Sequence, residues 1–275
     1  MRKISLGYSP CPNDTFIFYA LVHNKIKADM VFSEILEDVE TLNRMAFQKE
    51  LDVTKASFHA FGHLREDYCL LHSGSALGRG CGPLIVAKNH IRKDELCGKK
   101  IAIPGRMTTA YLLLKLYAPD VNKIVEMPFD RIMNAVSLGT VDAGLIIHES
   151  RFTYPDYKLI KLVDLGEWWE EETGLPIPLG GILAKRNLGT GVIREVDLLL
   201  KRSIEYAFQN RDLTRGYIKE HAQELENEVI DQHINLYVND YTLNIGGGIK
   251  AVEKLFDTGE EMNLFPHSDK PLFVD

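Results

Sequence analysis

The chain opens on a short apolar run, Ile4-Ser5-Leu6-Gly7-Tyr8, with the length of a buried strand. Pro10 and Pro12 break it. Asn13, Asp14 and Thr15 then lead into FIFYALVHNKI, which reads as a helix. Asn13 or Asp14 is the expected N-cap, because a short polar side chain accepts free first-turn amides. The same order returns from Lys99. Ile101-Ala102-Ile103 reads as a strand, Pro104-Gly105 as its stop, Thr108 or Thr109 as a cap, and AYLLLKLYAPD as a helix. Each helix start exposes amide N–H groups and the positive end of the helix dipole, which suit anions. Two ordinary caps would leave the same trace.

The repeat continues downstream. Val39, Leu42, Met45 and Ala46 recur at helical spacing, as do Phe129, Ile132, Met133 and Val136. Each set precedes a strand that begins apolar-Asp-small: LDVTKAS (51–57) and VDAGLII (141–147). Lys55 and Ser57 stand at the end of the first strand, and His148 stands just past the second. Alternating strands and helices predict a mainly parallel sheet in each half, with ligands beyond the carboxyl ends of the strands. The two halves should therefore face each other across a cleft.

LIVAK (84–88) and GILAK (181–185) are similar apolar runs and are expected to connect the halves, with crossovers near 85–98 and 180–190. The expected organisation is a discontinuous α/β domain, 1–87 plus 185–275, with a smaller α/β domain, 88–184, inserted. Beyond 185 the pattern is helical. Val196, Leu199, Leu200, Ser203, Ile204 and Ala207 mark one face of a long helix; 212–239 continues as helix, and Ile249 to Phe256 suggests a last one. Two crossovers would form a hinge.

Composition narrows the class. The 275 residues are 45% hydrophobic and 26% charged, which is globular and allows two domains. The formal charge of −7 and the absence of a strongly basic stretch make nucleic acid an unexpected partner. Cys11, Cys69, Cys81 and Cys97 form no C-x-x-C pair, which argues against a zinc knuckle or a thioredoxin-type site. The N-terminal apolar run is too short for a signal peptide, and no run of 18 apolar residues occurs. The expectation is a reduced cytoplasmic protein without membrane insertion, with a homo-oligomer left open.

His148 is the leading candidate for proton chemistry, since an imidazole at a cleft suits a general base; a hydrogen-bonded strand-end histidine is the plain alternative. HESRF is not H-E-x-x-H, and His59 and His63 have only His72 near them, so no metal is expected. SGSALGRGCGP (73–83) lacks both phosphate-loop patterns and reads as a loop and bulged strand. Gly246-Gly247-Gly248 reads as a turn. Cys11 reads as a small packing residue, although a helix N-terminus can lower a thiol pKa. Ser57 lacks a G-x-S-x-G elbow, so its hydroxyl reads as a donor to ligand oxygen. Trp168 and Trp169, followed by Gly174, Pro176 and Pro178, suggest either an extended wall of the cleft or a helix start with a packed aromatic.

Six segments in order carry a family resemblance: SPCPNDTFIFYAL (9–21), DVTKASFHAF (52–61), SGSALGRGCGPLIV (73–86), PGRMTTAYLLL (104–114), AGLIIHESRFTY (143–154) and EWWEEETGLPIPLGG (167–181). They resemble the 1,4-dihydroxy-6-naphthoate synthase family of the futalosine route to menaquinone, densely to about residue 190 and loosely beyond. The resemblance implies a type II periplasmic-binding-protein-like α/β fold with a helical C-terminal part, used as a cytoplasmic lyase. It implies cyclic dehypoxanthinyl futalosine as a small anionic substrate, and no metal or organic cofactor. Carried over by motif, His148 is the proton acceptor, Lys55, Ala56 and Ser57 form one substrate-binding segment, and Thr108 and Thr109 form the other. Asp14 faces the same cleft. Three alternatives compete. A solute-binding protein would be expected to carry a signal peptide. Chorismate dehydratase is a relative in the same pathway, which HESRFTY and GRMTTAY favour less. A transcriptional effector domain would need a DNA-binding module.

Overall fold

The computed structural model describes residues 2–222 and 226–274. Residues 223–225, within the expected helical stretch 212–239, lie outside the described residues, as do 1 and 275 at the ends of the expected discontinuous domain. The strands are β1 (Arg2–Tyr8), β2 (Met30–Leu36), β3 (Val53–Ser57), β4 (Tyr68–Leu70), β5 (Ala76–Gly78), β6 (Leu84–Ala87), β7 (Ile101–Ile103), β8 (Ile124–Glu126), β9 (Ala143–Ile146), β10 (Ile160–Asp164) and β11 (Ile177–Lys185). They form two sheets, ordered β2-β1-β3-β11-β4, with β5 also on β11, and β10-β6-β9-β7-β8.

The sequence repeat is a structural repeat. β1 lies between β2 and β3, parallel to both, and β7 lies likewise between β8 and β9. The expectation of mainly parallel sheets needs correction, however. β11 runs antiparallel to β3, β4 and β5, and β6 runs antiparallel to β9 and β10. LIVAK and GILAK are these antiparallel strands, at equivalent places in the two sheets, and not the connections. A fully buried apolar run must place its backbone polar groups in a ladder, which a bare linker does not offer. The crossings lie instead at 79–83 and 165–176. β6 thus pairs in the second sheet and β11 in the first, displacing the expected boundaries at 88 and 184.

The two crossings touch. A Cβ on Gly166 would stand 2.7 Å from the Gly82 nitrogen, and one on Gly82 would meet the Gly166 backbone still more closely. Asp164 pins the point: it caps the helix Leu165–Thr173 by accepting from Gly166 N at 2.8 Å, and it accepts from Arg151 Nη2 at 2.9 Å. Arg151 also donates to the Gly82 carbonyl. Gly82→Ala is therefore expected to cost at least about 2 kcal/mol, because backbone meets backbone and neither can turn aside. A urea midpoint within experimental error of the parent would refute this packing.

Trp168 and Trp169 lie in that helix and form no extended wall of the cleft. The Trp169 indole donates to Pro176 O at 3.2 Å, and Trp168 meets Tyr117 edge-on. The first helix, Pro12–Val22, has Cys11 as its N-cap, correcting the expected Asn13 or Asp14. Pro12 takes the first helical position, where its missing N–H costs nothing. Asp14 reaches back instead, accepting from Ser9 N at 3.2 Å and Ser9 Oγ at 2.8 Å.

That helix packs on Thr190–Gln209. Ser203, the polar residue on its apolar face, donates to Ile17 O at 2.6 Å and accepts from Leu21 N at 3.2 Å. Helices Arg211–His221, Asn227–Tyr237 and Ile249–Glu261 complete the C-terminal part, and the three glycines lie in the turn before the last. Among the described residues, no helix is long and apolar enough to cross a membrane.

Candidate functional site

Asp14, Lys55, Ala56, Ser57, Thr108, Thr109 and His148 line one cleft. The first four come from the first helix and β3, the next two from the start of the helix Thr109–Tyr117, and His148 from just past β9. Equivalent strand ends of the two sheets thus converge, as expected of open α/β sheets.

Lys55 and Asp14 form a buried ion pair, with Lys55 Nζ donating to Asp14 Oδ1 at 3.1 Å. Asn13 Nδ2 donates to the same oxygen at 2.7 Å. The carboxylate therefore has donors on both oxygens, as burial requires. Ser57 is clamped by buried Asn43, which accepts from Ser57 N at 3.0 Å and donates to Ser57 Oγ at 3.2 Å. The Ser57 hydroxyl hydrogen has no acceptor among the described residues and can serve a ligand.

The threonine hydroxyls are engaged within the protein. Thr108 Oγ1 donates to Gly105 O at 2.7 Å and accepts from Tyr111 N at 3.2 Å, which makes it the helix N-cap. Thr109 Oγ1 donates to Leu179 O at 2.5 Å. What this corner offers a ligand is the backbone amides of Thr109 and Ala110, which have no partner among the described residues.

His148 has a φ of 55°, in the left-handed region uncommon for a non-glycine residue. Its Nδ1 lies 3.5 Å from Cys11 Sγ, and the Phe129 ring meets it edge-on with centroids 5.1 Å apart. The His233 ring lies nearly parallel to it, 6.2 Å away, with its own Nε2 2.9 Å from Asn13 Oδ1. Burial lowers the His148 pKa to about 4 against the partial support of Asp14, so the imidazole is neutral at pH 7. Burial pushes the Cys11 thiol well above its ordinary value. Cys11, His148 and Glu149 bring a thiol, an imidazole and a carboxylate within 4.8 Å of one another, the one such grouping of possible metal ligands among the described residues. His59 and His63 lie outside it; His59 Nδ1 sits 3.3 Å from Thr108 O.

The cleft is bridged between the sheets. Glu40, ahead of β3, accepts from Met107 N at 3.2 Å, and Arg44 pairs with Glu126. Burial raises the Glu40 carboxyl to about 7, only partly offset by the Met107 and Asn43 donors. Between about pH 4.5 and pH 7 the folded protein then holds a proton that the unfolded chain has lost, so this group's contribution falls as pH rises through that window. Glu40→Gln keeps an acceptor for Met107 and removes the titration. Urea melts should show it more stable than the parent at pH 8 and nearly equal at pH 5. An equal difference at both pH values would mean that Glu40 ionises normally.

Sequence reasoning missed several lining residues. Cys81 and Pro83 come from the segment read as a loop, Leu179 and Gly180 from β11, and Tyr237 from the helical tail. At Gly180 the structure leaves no room for a side chain, since a Cβ there would meet Ala56 O at 2.6 Å.

Comparison with known proteins gives a consistent set. A family model described as menaquinone biosynthesis matches residues 4–261. A Thermus thermophilus protein named 1,4-dihydroxy-6-naphtoate synthase is 52% identical over 275 residues, covering 100% of both chains. A Streptomyces coelicolor protein of the same name is 44% identical, covering 96% of this chain and 95% of that one. A crystal structure of an Archaeoglobus fulgidus protein superposes with a TM-score of 0.91 at 42% identity, covering 96% of this chain and 98% of that one. An alkanesulfonate-binding protein from Xanthomonas axonopodis pv. citri, bound to MOPS, superposes at 0.71 with 15% identity, covering 97% of this chain and 95% of that one; it shares the fold alone. The fold is the periplasmic-binding-protein-like α/β architecture expected from the sequence.

Proposed function

The chain belongs to the menaquinone-biosynthesis family, and from that premise we propose that it converts cyclic dehypoxanthinyl futalosine to 1,4-dihydroxy-6-naphthoate. The observation that carries this reading is end-to-end similarity, at 52% and 44% identity, to two proteins named for that synthase activity. The activity is that of a carbon–carbon lyase.

His148 takes the proton next to the ring ketone of the substrate. The electron pair left behind forms an enolate; the sugar-derived fragment departs with the electrons of its carbon–carbon bond to the ring and takes the proton from the His148 imidazolium, which restores the base, and the ring system becomes aromatic. A neutral imidazole at the cleft wall supports the base role. The Ser57 hydroxyl and the Thr109 and Ala110 amides supply donors for the substrate carboxylate or the developing oxyanion. Lys55 and Ala56 lie beside Ser57, and Asp14 holds the Lys55 ammonium in place. The pair is neutral overall, so in a chain of net charge −7 an anionic substrate depends on directed donors rather than on a positive field. In this reading residues 1–87 and 185–275 form one body and 88–184 the other, apart from the strands exchanged at the crossings.

The test is direct. Purified protein is incubated with cyclic dehypoxanthinyl futalosine without added cofactor and followed by absorbance and mass spectrometry. The naphthoate should accumulate with turnover. No product at high enzyme concentration overturns the reading, and loss of water from chorismate under the same conditions would replace it with dehydration.

A further inference from the structure

We propose that Cys11 is the positioning residue for His148: its sulfur accepts the Nδ1–H, fixing the tautomer whose lone pair is on Nε2. The inference rests on the reading of His148 as the base. Sγ and Nδ1 are 3.5 Å apart, within reach for a hydrogen bond to sulfur. Nε2 has no protein partner among the described residues, and the side chain lines the cleft, so Nε2 is the nitrogen left to meet substrate.

Cys11 is the neighbour at hydrogen-bond distance from a ring nitrogen of His148, with the Glu149 carboxylate within 4.8 Å. The Phe129 ring meets that of His148 at a steep angle, and the His233 ring lies nearly parallel to it 6.2 Å away while its own Nε2 is engaged by Asn13. Their packing fixes the ring plane, and Cys11 is left to decide which nitrogen carries the hydrogen.

Cys11 is well placed for this. It stands between Pro10 and Pro12, at φ −63°, as the N-cap of the first helix. Two rings on the chain restrict the backbone on either side and hold the sulfur still. The thiol is buried and stays protonated at neutral pH, so it offers lone pairs without taking the imidazole proton. The opposite polarity, S–H to Nδ1, would put the ring hydrogen on Nε2 and leave no lone pair toward the cleft. An orienting acceptor on the far nitrogen of a catalytic histidine is general triad logic. Here the acceptor is a neutral sulfur, and when Nε2 takes a proton the imidazolium gains a stronger Nδ1–H donor to that sulfur.

The test reads the tautomer and the rate separately. Nitrogen NMR of ¹⁵N-histidine-labelled protein at pH 7, with the His148 signals assigned by difference against His148→Asn, should show Nδ1 protonated and Nε2 bare. In Cys11→Ala the ring should relax toward the Nε2–H form that free imidazole prefers. Its kcat should fall about tenfold to a hundredfold with KM within about threefold, less than the ~10⁴-fold loss of a carboxylate orienter because sulfur is a weak acceptor. Cys11→Ser, whose oxygen also accepts, should keep the Nδ1–H form and recover most of kcat. Parent protein with its hydrogen on Nε2, or Cys11→Ala retaining Nδ1–H, overturns the inference. Failure of the underlying functional reading looks different: the parent would make no naphthoate whatever its tautomer.

Discussion

Replacing His148 with asparagine is expected to lower kcat by about 10²–10⁴-fold, the usual contribution of a positioned general base. Substrate affinity should change little, since the donors around Ser57 and Thr109 are untouched, while the shorter amide overlaps the Nδ1 position and does not reach that of Nε2. The pH dependence separates this from a loss of fold. Burial holds the His148 pKa at about 4, and the base must be unprotonated. The rate kcat/KM should therefore hold from neutral pH down to about 5 and fall as pH drops through about 4, whereas a free histidine would lose activity below about 6.5. A kcat within threefold of the parent in His148→Asn, with stability unchanged, would remove this residue from the chemistry.

The second large effect is expected at Asp14. Its carboxylate is 1% exposed and the Lys55 side chain 9% exposed, so Asp14→Ala strands an ammonium in a buried cleft. Breaking one partner of such a pair typically costs about 3–5 kcal/mol. Lys55→Met should cost less, because Ser9 and Asn13 still donate to Asp14. The double variant should recover part of the Asp14→Ala loss, since no uncompensated charge remains. Urea unfolding of the three proteins measures this. A cost below about 1 kcal/mol for Asp14→Ala, or strictly additive losses in the double variant, would show that the pair is solvated and independent.

Local order along the chain was readable because it is written locally. The two strand–stop–helix units at Ile4 and Ile101, the polar ends of LDVTKAS and VDAGLII, and the apolar face of Thr190–Gln209 each follow from spacing and breakers within a few residues. Pairing between distant strands is not written that way. LIVAK and GILAK look like linkers because a short apolar run reads alike in a linker and in a buried strand, and only the partner strand decides. The same limit hid the surroundings of His148. Cys11 is 137 residues away from it, and His233 meets Asn13 across 220 residues. The two prolines around Cys11 were the visible sign that its position is held for a reason. At Thr108 and Thr109 the sequence left open whether hydroxyls or backbone amides face a ligand. A helix cap and the Leu179 carbonyl, 70 residues away, engage the two hydroxyls and leave the amides.

The contact between Gly82 and Gly166 has a kinematic consequence. Two crossings pressed together behave as one pivot, so the halves can swing apart but cannot slide along each other. A substrate cannot pass on the pivot side. Polar contacts join the halves a second time where Glu40 accepts from Met107 and Arg44 pairs with Glu126. Swinging the halves apart breaks those contacts, so weakening them should ease that motion without touching the groups assigned to the reaction.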